Sequence, residues 1–356
     1  MNIYSKSFYG THHSWAVVMR SIMTSFLKKK HSISIKSING YENINDELKP
    51  FIDNFSPNID LEICYTMPIN FPNRFKEKSK VKMAIYNYES SILPKEWSSY
   101  ESNVDYLLPS SKFSRDIFIN NGFSKEKTVT IPHGINPENY TTATRMECLD
   151  VFDTFKFLNV SIPHYRKNID VIIDAYYNCF SKNDDVTLVL KTSLDKPKKY
   201  FECDVRQIIY SKQQKYKGKD IPHIYIVDQF VDDMVSLYNS CHSIINCSSG
   251  EGFGLPLLEG LASKKIIIAP DKGGHTDFLN RDNSIVLNSS FVDAPENYQY
   301  WKSSSGSKMI RVDYNDLCSK MILAYSHYSK LKSKYNFNIK KEFTWDGVCD
   351  KIMELI

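Results

Sequence analysis

The sequence contains no long apolar run. Its purely aliphatic stretches are as short as Ile266–Ile268, whereas a helix that spans a membrane needs about 20 apolar residues. The amino-terminal stretch has no basic segment followed by an apolar one, so we expect no secretory signal peptide. These features predict a cytoplasmic protein. Frequent Lys, Asn, Ile and Tyr are typical of an AT-rich genome, which leaves open the cytoplasm of a virus-infected host.

Three further features are missing. The eight cysteines include no C-x-x-C pair, which argues against a zinc ribbon or a disulfide framework and predicts buried free thiols. The net charge is only +4, too small to indicate a nucleic-acid-binding protein. The sequence has no D-x-D triplet, so it predicts neither a divalent metal site nor a cofactor.

Strand-like and helix-like segments alternate along the 356 residues, and this alternation is typical of parallel sheets. Two such series flank a polar stretch at 136–154. We therefore predict an α/β protein with two Rossmann-like, doubly wound domains that face a central cleft. The predicted boundaries are 1–140, 141–340 and a carboxyl-terminal helix at 341–356 that packs on the first domain. The expected strands and helices at the variable positions include a strand at 129–132 and a helix at 200–214.

The stretch Ser249–Ser263, SGEGFGLPLLEGLAS, follows an apolar strand and opens a helix. Its glycines permit a tight loop, and Pro256 suits the first turn of a helix. The amino terminus of that helix would offer free N–H groups to a phosphate. Glu259, one turn inside the helix, is suited to accept hydrogen bonds from a diol such as ribose, and Glu251 in the loop is suited to sugar hydroxyls.

The spacing of Glu251 and Glu259 within GFGLPLLE resembles the E-x7-E motif of GT-B glycosyltransferases, especially the retaining glycosyltransferase family 4. The resemblance implies a GT-B fold and a nucleoside diphosphate sugar donor. It also implies that Gly252, Phe253, Gly254 and Leu255 contact the donor.

Other segments are similar to patches of the same family. Arg166-Lys167-Asn168 resembles the family's R-K-N and predicts two cations for the diphosphate. The turn IPHGIN at 131–136 resembles the end of the family's first domain. The loop after strand 224–228 is expected to line the nucleotide pocket through Gln229, Phe230 and Val231.

The first domain carries weaker similarities. The segment at 85–97, IYNYESSILPKEW, resembles a stretch of some family members and points to Glu89 as a catalytic residue and Tyr88 as an acceptor contact. The loop YGTHHS resembles the family's Gly-rich loop. It predicts Gly10 beside the donor and His12 and His13 beside the acceptor.

Two departures from the family pattern stand out. Val160-Ser161 replaces a customary G-R, so Arg166 is expected to substitute for the missing phosphate contact. Asp277 replaces the glutamate of a G-G-x-x-E pattern.

The residues together predict a retaining, metal-independent glycosyltransferase acting on a glycan, a lipid-linked sugar or a protein, with Arg166, Lys167, Glu251 and Glu89 as its catalytic residues. One alternative is a viral enzyme that modifies a DNA base, for which the alternate lysines Lys76, Lys78, Lys80 and Lys82 are candidate contacts. Another is a catalytically inactive protein that binds nucleotide sugars. Peripheral membrane contact through the first helix, which ends at Lys28-Lys29-Lys30, is a further possibility, although core packing of that helix is the stronger expectation.

Overall fold

The computed structural model describes residues 1–195, 202–295 and 306–356, which divide into two compact units. Unit 1 comprises Met1–Tyr88, Leu93–Asn136 and Lys340–Ile356. Unit 2 comprises Glu89–Ile92 and Pro137–Ile339. The carboxyl-terminal residues therefore group with the first unit, and a four-residue segment from the amino-terminal part of the chain groups with the second.

The strands are, in chain order, β1 (Asn2–Ser7), β2 (Ser32–Ser37), β3 (Ile59–Tyr65), β4 (Ser79–Ile85), β5 (Tyr106–Leu108), β6 (Phe155–Val160), β7 (Val186–Lys191), β8 (His223–Val227), β9 (Ser243–Ile245), β10 (Ile266–Pro270), β11 (Ile285–Leu287), β12 (Ser289–Asp293) and β13 (Lys308–Val312). The helices are α1 (Ser14–Lys28), α2 (Phe71–Arg74), α3 (Lys112–Asn120), α4 (Glu147–Asp150), α5 (Ile169–Cys179), α6 (Val205–Lys215), α7 (Met234–Asn239), α8 (Leu255–Ala262), α9 (Tyr314–Ser326), α10 (Tyr328–Lys334) and α11 (Trp345–Met353).

Unit 1 is built on a parallel sheet with the strand order β2-β1-β3-β4-β5. Helix α1 buries Val18, Met19, Ile22, Met23 and Phe26, so it is a core helix, as its alternation of apolar and polar residues predicts. Among the described residues, no helix has the length and apolar character needed to cross a membrane.

Helix α11 returns to unit 1 and is held against α1 by side-chain contacts. Ser25 Oγ donates to Asp346 Oδ1 at 2.8 Å, and Lys29 Nζ lies 2.7 Å from Asp350 Oδ1. Cys349 is fully buried in the same contact. The last turns of the chain therefore complete the core of the first unit.

Unit 2 contains a larger parallel sheet with the order β11-β10-β9-β6-β7-β8 and a separate antiparallel pair, β12 with β13. Its inner strands are almost wholly buried: β7 exposes only part of its last residue, and β10 is buried throughout. Continuous apolar runs of this kind are typical of parallel strands covered by helices on both faces. The predicted two-domain α/β class is confirmed.

Some local predictions are wrong. Residues 129–132 form no strand and contribute only an isolated bridge, Leu107 to Thr128, because Pro132 cannot donate to a ladder. The antiparallel strands β12 and β13 and the helices α9 and α10 have no counterpart in the prediction. In α9 only Leu317, Met321 and Ala324 are buried, which is a narrow stripe for a 13-residue helix. The predicted helix at 200–214 begins at Val205, and its first two residues lie outside the described ranges.

The eight cysteines are all free, and five of them are buried, as expected. The alternate lysines of β4 have local partners: Lys80 pairs with Asp60 at 2.8 Å, and Lys82 Nζ donates to the Phe75 carbonyl at 3.1 Å.

Leu188 and Leu323 allow a matched test of the core of unit 2. Leu188 lies on the inner strand β7 with no exposed surface, whereas Leu323 on α9 is 38% exposed. We expect Leu188→Ala to lower the free energy of unfolding by about 2–5 kcal/mol, because it leaves a cavity in a close-packed interior. Leu323→Ala should cost less than about 1 kcal/mol. Urea unfolding of both variants measures the difference, and equal losses would contradict the assigned core.

Candidate functional site

Two loops meet at one edge of the sheet in unit 2. Strand β6 pairs with β9 through Phe157 with Ser243 and Leu158 with Ile244, and both strands run in the same direction. The chain leaves β6 into residues 161–168 and leaves β9 into residues 246–254. In open parallel sheets, ligands bind beyond these carboxyl ends. The R-K-N segment and the first glutamate of the E-x7-E spacing are thus neighbours.

Asn168 joins the two loops. Its backbone is left-handed, with φ at 51°, a conformation that Asn tolerates better than most residues. Its Nδ2 donates to the Cys247 carbonyl at 2.8 Å and to Ser249 Oγ at 2.7 Å. The Ser249 amide donates in turn to the Arg166 carbonyl at 2.8 Å. These bonds fix the position of each loop relative to the other.

Arg166 is buried between the loops, with 8% of its surface exposed. Its Nη1 donates to the Gly250 carbonyl, and its Nη2 lies 3.4 Å from Glu89 Oε1. Glu89 belongs to unit 2 and is 27% exposed. Burial raises the pKa of the Glu89 carboxyl, and nearby Glu251 adds to this, while Arg166 and Lys167 oppose it. Arg166 therefore sits beside a carboxyl group that binds a proton more readily than usual.

Lys167 and Glu251 form a mostly buried ion pair. Lys167 Nζ lies 2.7 Å from Glu251 Oε2, and the side chains are 14% and 12% exposed. Burial by itself would raise the pKa of Glu251, but the Lys167 and Arg166 cations outweigh it and lower the pKa to about 2. Burial also lowers the pKa of Lys167, although Glu251 counteracts this. The two predicted cations and two predicted carboxylates thus form one cluster.

The loop after β9 turns into α8 at Gly254. Gly254 has φ at +93°, and a Cβ there would lie 3.3 Å from His275 Cβ, so a larger residue would be strained and crowded. Pro256 occupies the first turn of α8, where it has no N–H to lose from the helix ladder. Gly252 and Phe253 are buried, and Leu255 is partly exposed. The amino terminus of α8 therefore presents backbone amides beside the charged cluster.

His275 supports this loop from the following turn. Its Nε2 lies 2.8 Å from the Pro270 carbonyl, and the Gly274 amide donates to the Glu251 carbonyl at 2.7 Å. Burial lowers the pKa of His275, so the ring is neutral and Nε2 carries the proton that Pro270 accepts. The sequence pattern G-G-x-x-E drew attention to Asp277, but the structure gives the supporting contacts to His275 and Gly274.

Glu259 lies one turn into α8, next to two tyrosines that the sequence did not single out. The Tyr238 hydroxyl donates to Glu259 Oε2 at 2.5 Å, and the Tyr140 hydroxyl makes a second hydrogen bond to the same carboxyl group. Burial raises the pKa of Glu259 to about 7, and the two hydrogen bonds oppose this rise. Tyr140 falls in the stretch that the sequence identified only as a linker, so no local signal could have found it.

The remaining predicted donor contacts lie elsewhere. Gln229 and Phe230 are exposed and Val231 is buried in the segment that follows β8, at the outer edge of the same sheet. Their position at a carboxyl end agrees with a ligand-facing loop, but none of the described hydrogen bonds or ion pairs connects them to the charged cluster.

Four predicted residues belong to unit 1. Gly10 is buried against Gly40, and its amide donates to Asn39 Oδ1 at 3.2 Å. His13 caps α1, because its Nδ1 accepts from the Trp15 amide at 3.2 Å, and the neighbouring His12 is exposed. Tyr88 is 3% exposed and its ring packs edge-on against Trp97. The structure thus gives His13 a capping role and Tyr88 a core-packing role.

Unit 1 also buries a polar group that the sequence reasoning missed. His133, within the turn IPHGIN, is 4% exposed. Its Nε2 lies 3.4 Å from the Tyr65 hydroxyl and 3.3 Å from Asn87 Nδ2. Burial lowers the pKa of His133 to about 3, so the ring is neutral. The turn had been noted only as a domain boundary.

No group of three or more His, Cys, Asp or Glu side chains is placed to hold a metal ion within residues 1–195, 202–295 and 306–356.

Asn168 provides a test of how the loops are held. Asn168→Ala removes two hydrogen bonds and forces a Cβ-branched neighbourhood-free residue into a left-handed conformation, whereas Asn168→Gly removes the bonds alone. We expect Gly to cost about 1–3 kcal/mol of stability for the lost bonds and Ala to cost about 1 kcal/mol more. Thermal unfolding compares the two variants, and a more stable Ala variant would contradict the backbone geometry.

Glu251 predicts an acid-dependent loss of stability. Its folded-state pKa of about 2 lies below the usual value of about 4.3. Its ionisation therefore stabilises the fold above about pH 4.3, and this contribution disappears as the pH falls towards 2. We expect Glu251→Gln to flatten the fall in unfolding free energy between about pH 5 and pH 2.

The exposed Glu147 in the same unit serves as the matched control for this pH series. Glu147→Gln should leave the acid dependence as it is in the unmodified protein. An acid limb that is equally steep in the Glu251 and Glu147 variants would contradict the ion pair with Lys167.

Comparisons with known proteins bear on this site. Residues 155–296 match the family model described as "Glycosyl transferases group 1". A probable sucrose-phosphate synthase of Thermosipho melanesiensis is 24% identical over 241 residues, which is 65% of this chain and 48% of that protein. The chain thus spans about half the length of the curated relative that it matches.

Two solved structures resemble the whole chain. A glycosyltransferase from Rickettsia africae superposes with a TM-score of 0.70 at 15% identity, covering 99% of this chain and 97% of that one. HepE of Anabaena, crystallised with UDP-glucose, superposes with a TM-score of 0.67 at 14% identity, covering 100% and 99%. At this identity the likeness concerns the fold. Together with the family match, it shows that the chain has the GT-B fold and that residues 155–296 form a group 1 glycosyltransferase domain.

Proposed function

We propose that the protein transfers a sugar from a nucleoside diphosphate sugar to an acceptor hydroxyl, with retention at the anomeric carbon. The observation that carries this proposal is the cluster at the carboxyl edge of the unit 2 sheet. There Arg166, Lys167 and the amino terminus of α8 lie beside Glu251, and Glu259 follows one turn along the same helix.

The cations and helix amides are suited to the diphosphate. As the bond from the anomeric carbon to the phosphate oxygen breaks, negative charge develops on the leaving group. Arg166 and Lys167, with the amides of Gly254 and Leu255, would stabilise that charge. Arg166 is already held rigidly by Gly250 and Glu89, so little reorganisation accompanies the reaction.

The carboxylates divide the remaining roles. Glu259 would accept hydrogen bonds from the ribose diol, and Glu251, with the amides of Phe253 and Gly254, would hold the donor sugar. The acceptor oxygen forms the new bond to the anomeric carbon, and its proton passes to the departing phosphate. Glu89 would adjust the charge on Arg166 beside the reacting carbon.

We extend the proposal to a reaction that needs no metal ion, since two side-chain cations already serve the diphosphate. The acceptor is a glycan, a lipid-linked sugar or a protein, and the protein works in the cytoplasm. HepE binds UDP and UDP-glucose, so a uridine nucleotide is the first donor to test. A DNA base is the less favoured acceptor, since the net charge is only +4.

A thermal-shift panel of nucleoside diphosphate sugars, without metal and then with Mg²⁺, tests the donor site. A ligand at about 100 times its Kd stabilises the folded state by about 2.7 kcal/mol, which is readily detected. We expect one donor to raise the unfolding temperature equally with and without Mg²⁺. A shift that requires Mg²⁺ would contradict metal independence, and no shift with any donor would contradict transfer from such donors.

Glu259→Gln separates binding from non-specific stabilisation in that panel. We expect this variant to lose most of the donor-dependent shift, because a neutral amide is a weaker acceptor for a diol than a carboxylate. Glu147→Gln, an exposed change in the same unit, should keep the full shift. A full shift in the Glu259 variant, with the fold intact by circular dichroism, would remove Glu259 from the site.

A further inference from the structure

Three separate elements converge on the Glu259 carboxyl group. Glu259 projects from α8, Tyr238 approaches from α7, and Tyr140 approaches from the segment 137–146, here named the strap. Tyr238 has no exposed surface, and its hydroxyl lies 2.5 Å from Glu259 Oε2. Tyr140 is only partly buried and reaches the same carboxyl group from the opposite chain segment.

The strap is attached to the carboxyl end of α7 beyond Tyr140. Asn239 Nδ2 donates to the carbonyls of Thr142 at 2.8 Å and Thr144 at 3.1 Å. The Met146 amide donates to Ser240 Oγ at 2.7 Å. These bonds place the strap against the same helix that carries Tyr238, so the position of Tyr140 is set by tertiary contacts rather than by its own side chain alone.

No cation balances the charge on Glu259. Among the described residues it takes part in no salt bridge, and the titratable groups that face it are the two phenols. At the carboxyl end of α8, Lys265 Nζ donates to the Asn239 carbonyl at 3.3 Å, and Glu138 on the strap is exposed to solvent. The carboxylate therefore depends on hydroxyl donors to remain ionised in a partly buried site.

We propose that Tyr140 is a positioning residue of the nucleotide site, whose hydroxyl keeps Glu259 ionised and oriented to accept a ribose diol. This inference rests on the proposed function, in which Glu259 binds the ribose. A carboxylate has about four acceptor positions, so it can hold two phenols and still accept two ribose hydroxyls. A protonated carboxyl group would have to donate one of its oxygens instead.

The direction of the effect follows from the hydrogen bonds. Burial raises the pKa of Glu259 to about 7, and the bond from Tyr140 acts against that rise. Tyr140→Phe removes this donor while keeping the ring in place, so the pKa of Glu259 should rise above 7. At neutral pH more of the Glu259 population would then be protonated, and at alkaline pH the variant would again be ionised.

The first experiment measures the charge state without any nucleotide. Carbon-13 NMR of labelled glutamate carboxyl groups, with Glu259→Gln to identify the signal, gives the titration midpoint of Glu259. We expect the midpoint to be higher in Tyr140→Phe than in the unmodified protein. Tyr210→Phe, which changes a tyrosine that is 62% exposed on α6, should leave it in place. An unchanged or lower midpoint in the Tyr140 variant overturns the inference.

The second experiment measures binding of UDP by calorimetry from pH 6.5 to pH 9. We expect Tyr140→Phe to bind UDP several-fold more weakly than the unmodified protein at pH 7 and within two-fold of it at pH 9. The matched ligand is 2′,3′-dideoxy-UDP, which has no diol and should show no such pH-dependent difference. A loss of equal size at every pH indicates a structural defect, and tighter binding at pH 7 indicates that Tyr140 competes with ribose; either result overturns the inference.

The two arms keep the failures apart. If the unmodified protein binds no nucleotide, the proposed function fails, while the NMR titration still decides whether Tyr140 controls the ionisation of Glu259. If the unmodified protein binds UDP and the Tyr140 variant behaves as Tyr210→Phe does, the donor site stands and only the role of Tyr140 is rejected.

Discussion

The candidate site depends on the connection between the loops that follow β6 and β9. Asn168 bonds to Cys247 and Ser249, and Arg166 bonds to Gly250, so the backbone of one loop is attached to the side chains of the other. The adjacent strands bring the loops together, but the side chains decide their spacing. Without these bonds, Lys167 and Glu251 would be two separate surface charges rather than a mostly buried ion pair.

Burial then gives each charged group a distinct state. The pKa of Glu251 falls to about 2 because two cations lie beside it, whereas that of Glu259 rises to about 7 because no cation does. The pKa of Glu89 is also raised. Three glutamates in one unit thus differ in protonation through their neighbours alone. Such differences are typical of functional sites, where groups need different charges for different tasks.

The first unit shows that position near a predicted loop does not by itself give a functional role. His13 caps a helix and Tyr88 packs on Trp97, so local structural needs account for both side chains. By contrast, His133 is buried beside Tyr65 and Asn87 without any sequence pattern to mark it. Contacts between residues far apart in the chain distinguish these cases.

The sequence alone determined the two parallel α/β units and the family resemblance, because alternating apolar segments and the GFGLPLLE turn are local patterns. It also placed Arg166, Lys167, Glu251 and Glu259 correctly in the loops and helix that carry them. Only the tertiary structure decided which of these groups touch one another, that Glu89 lies in unit 2, and that Tyr140 and Tyr238 meet Glu259. The physical reason is that charge state and hydrogen-bond partners depend on burial and on contacts across the chain, and neither is encoded in residue spacing.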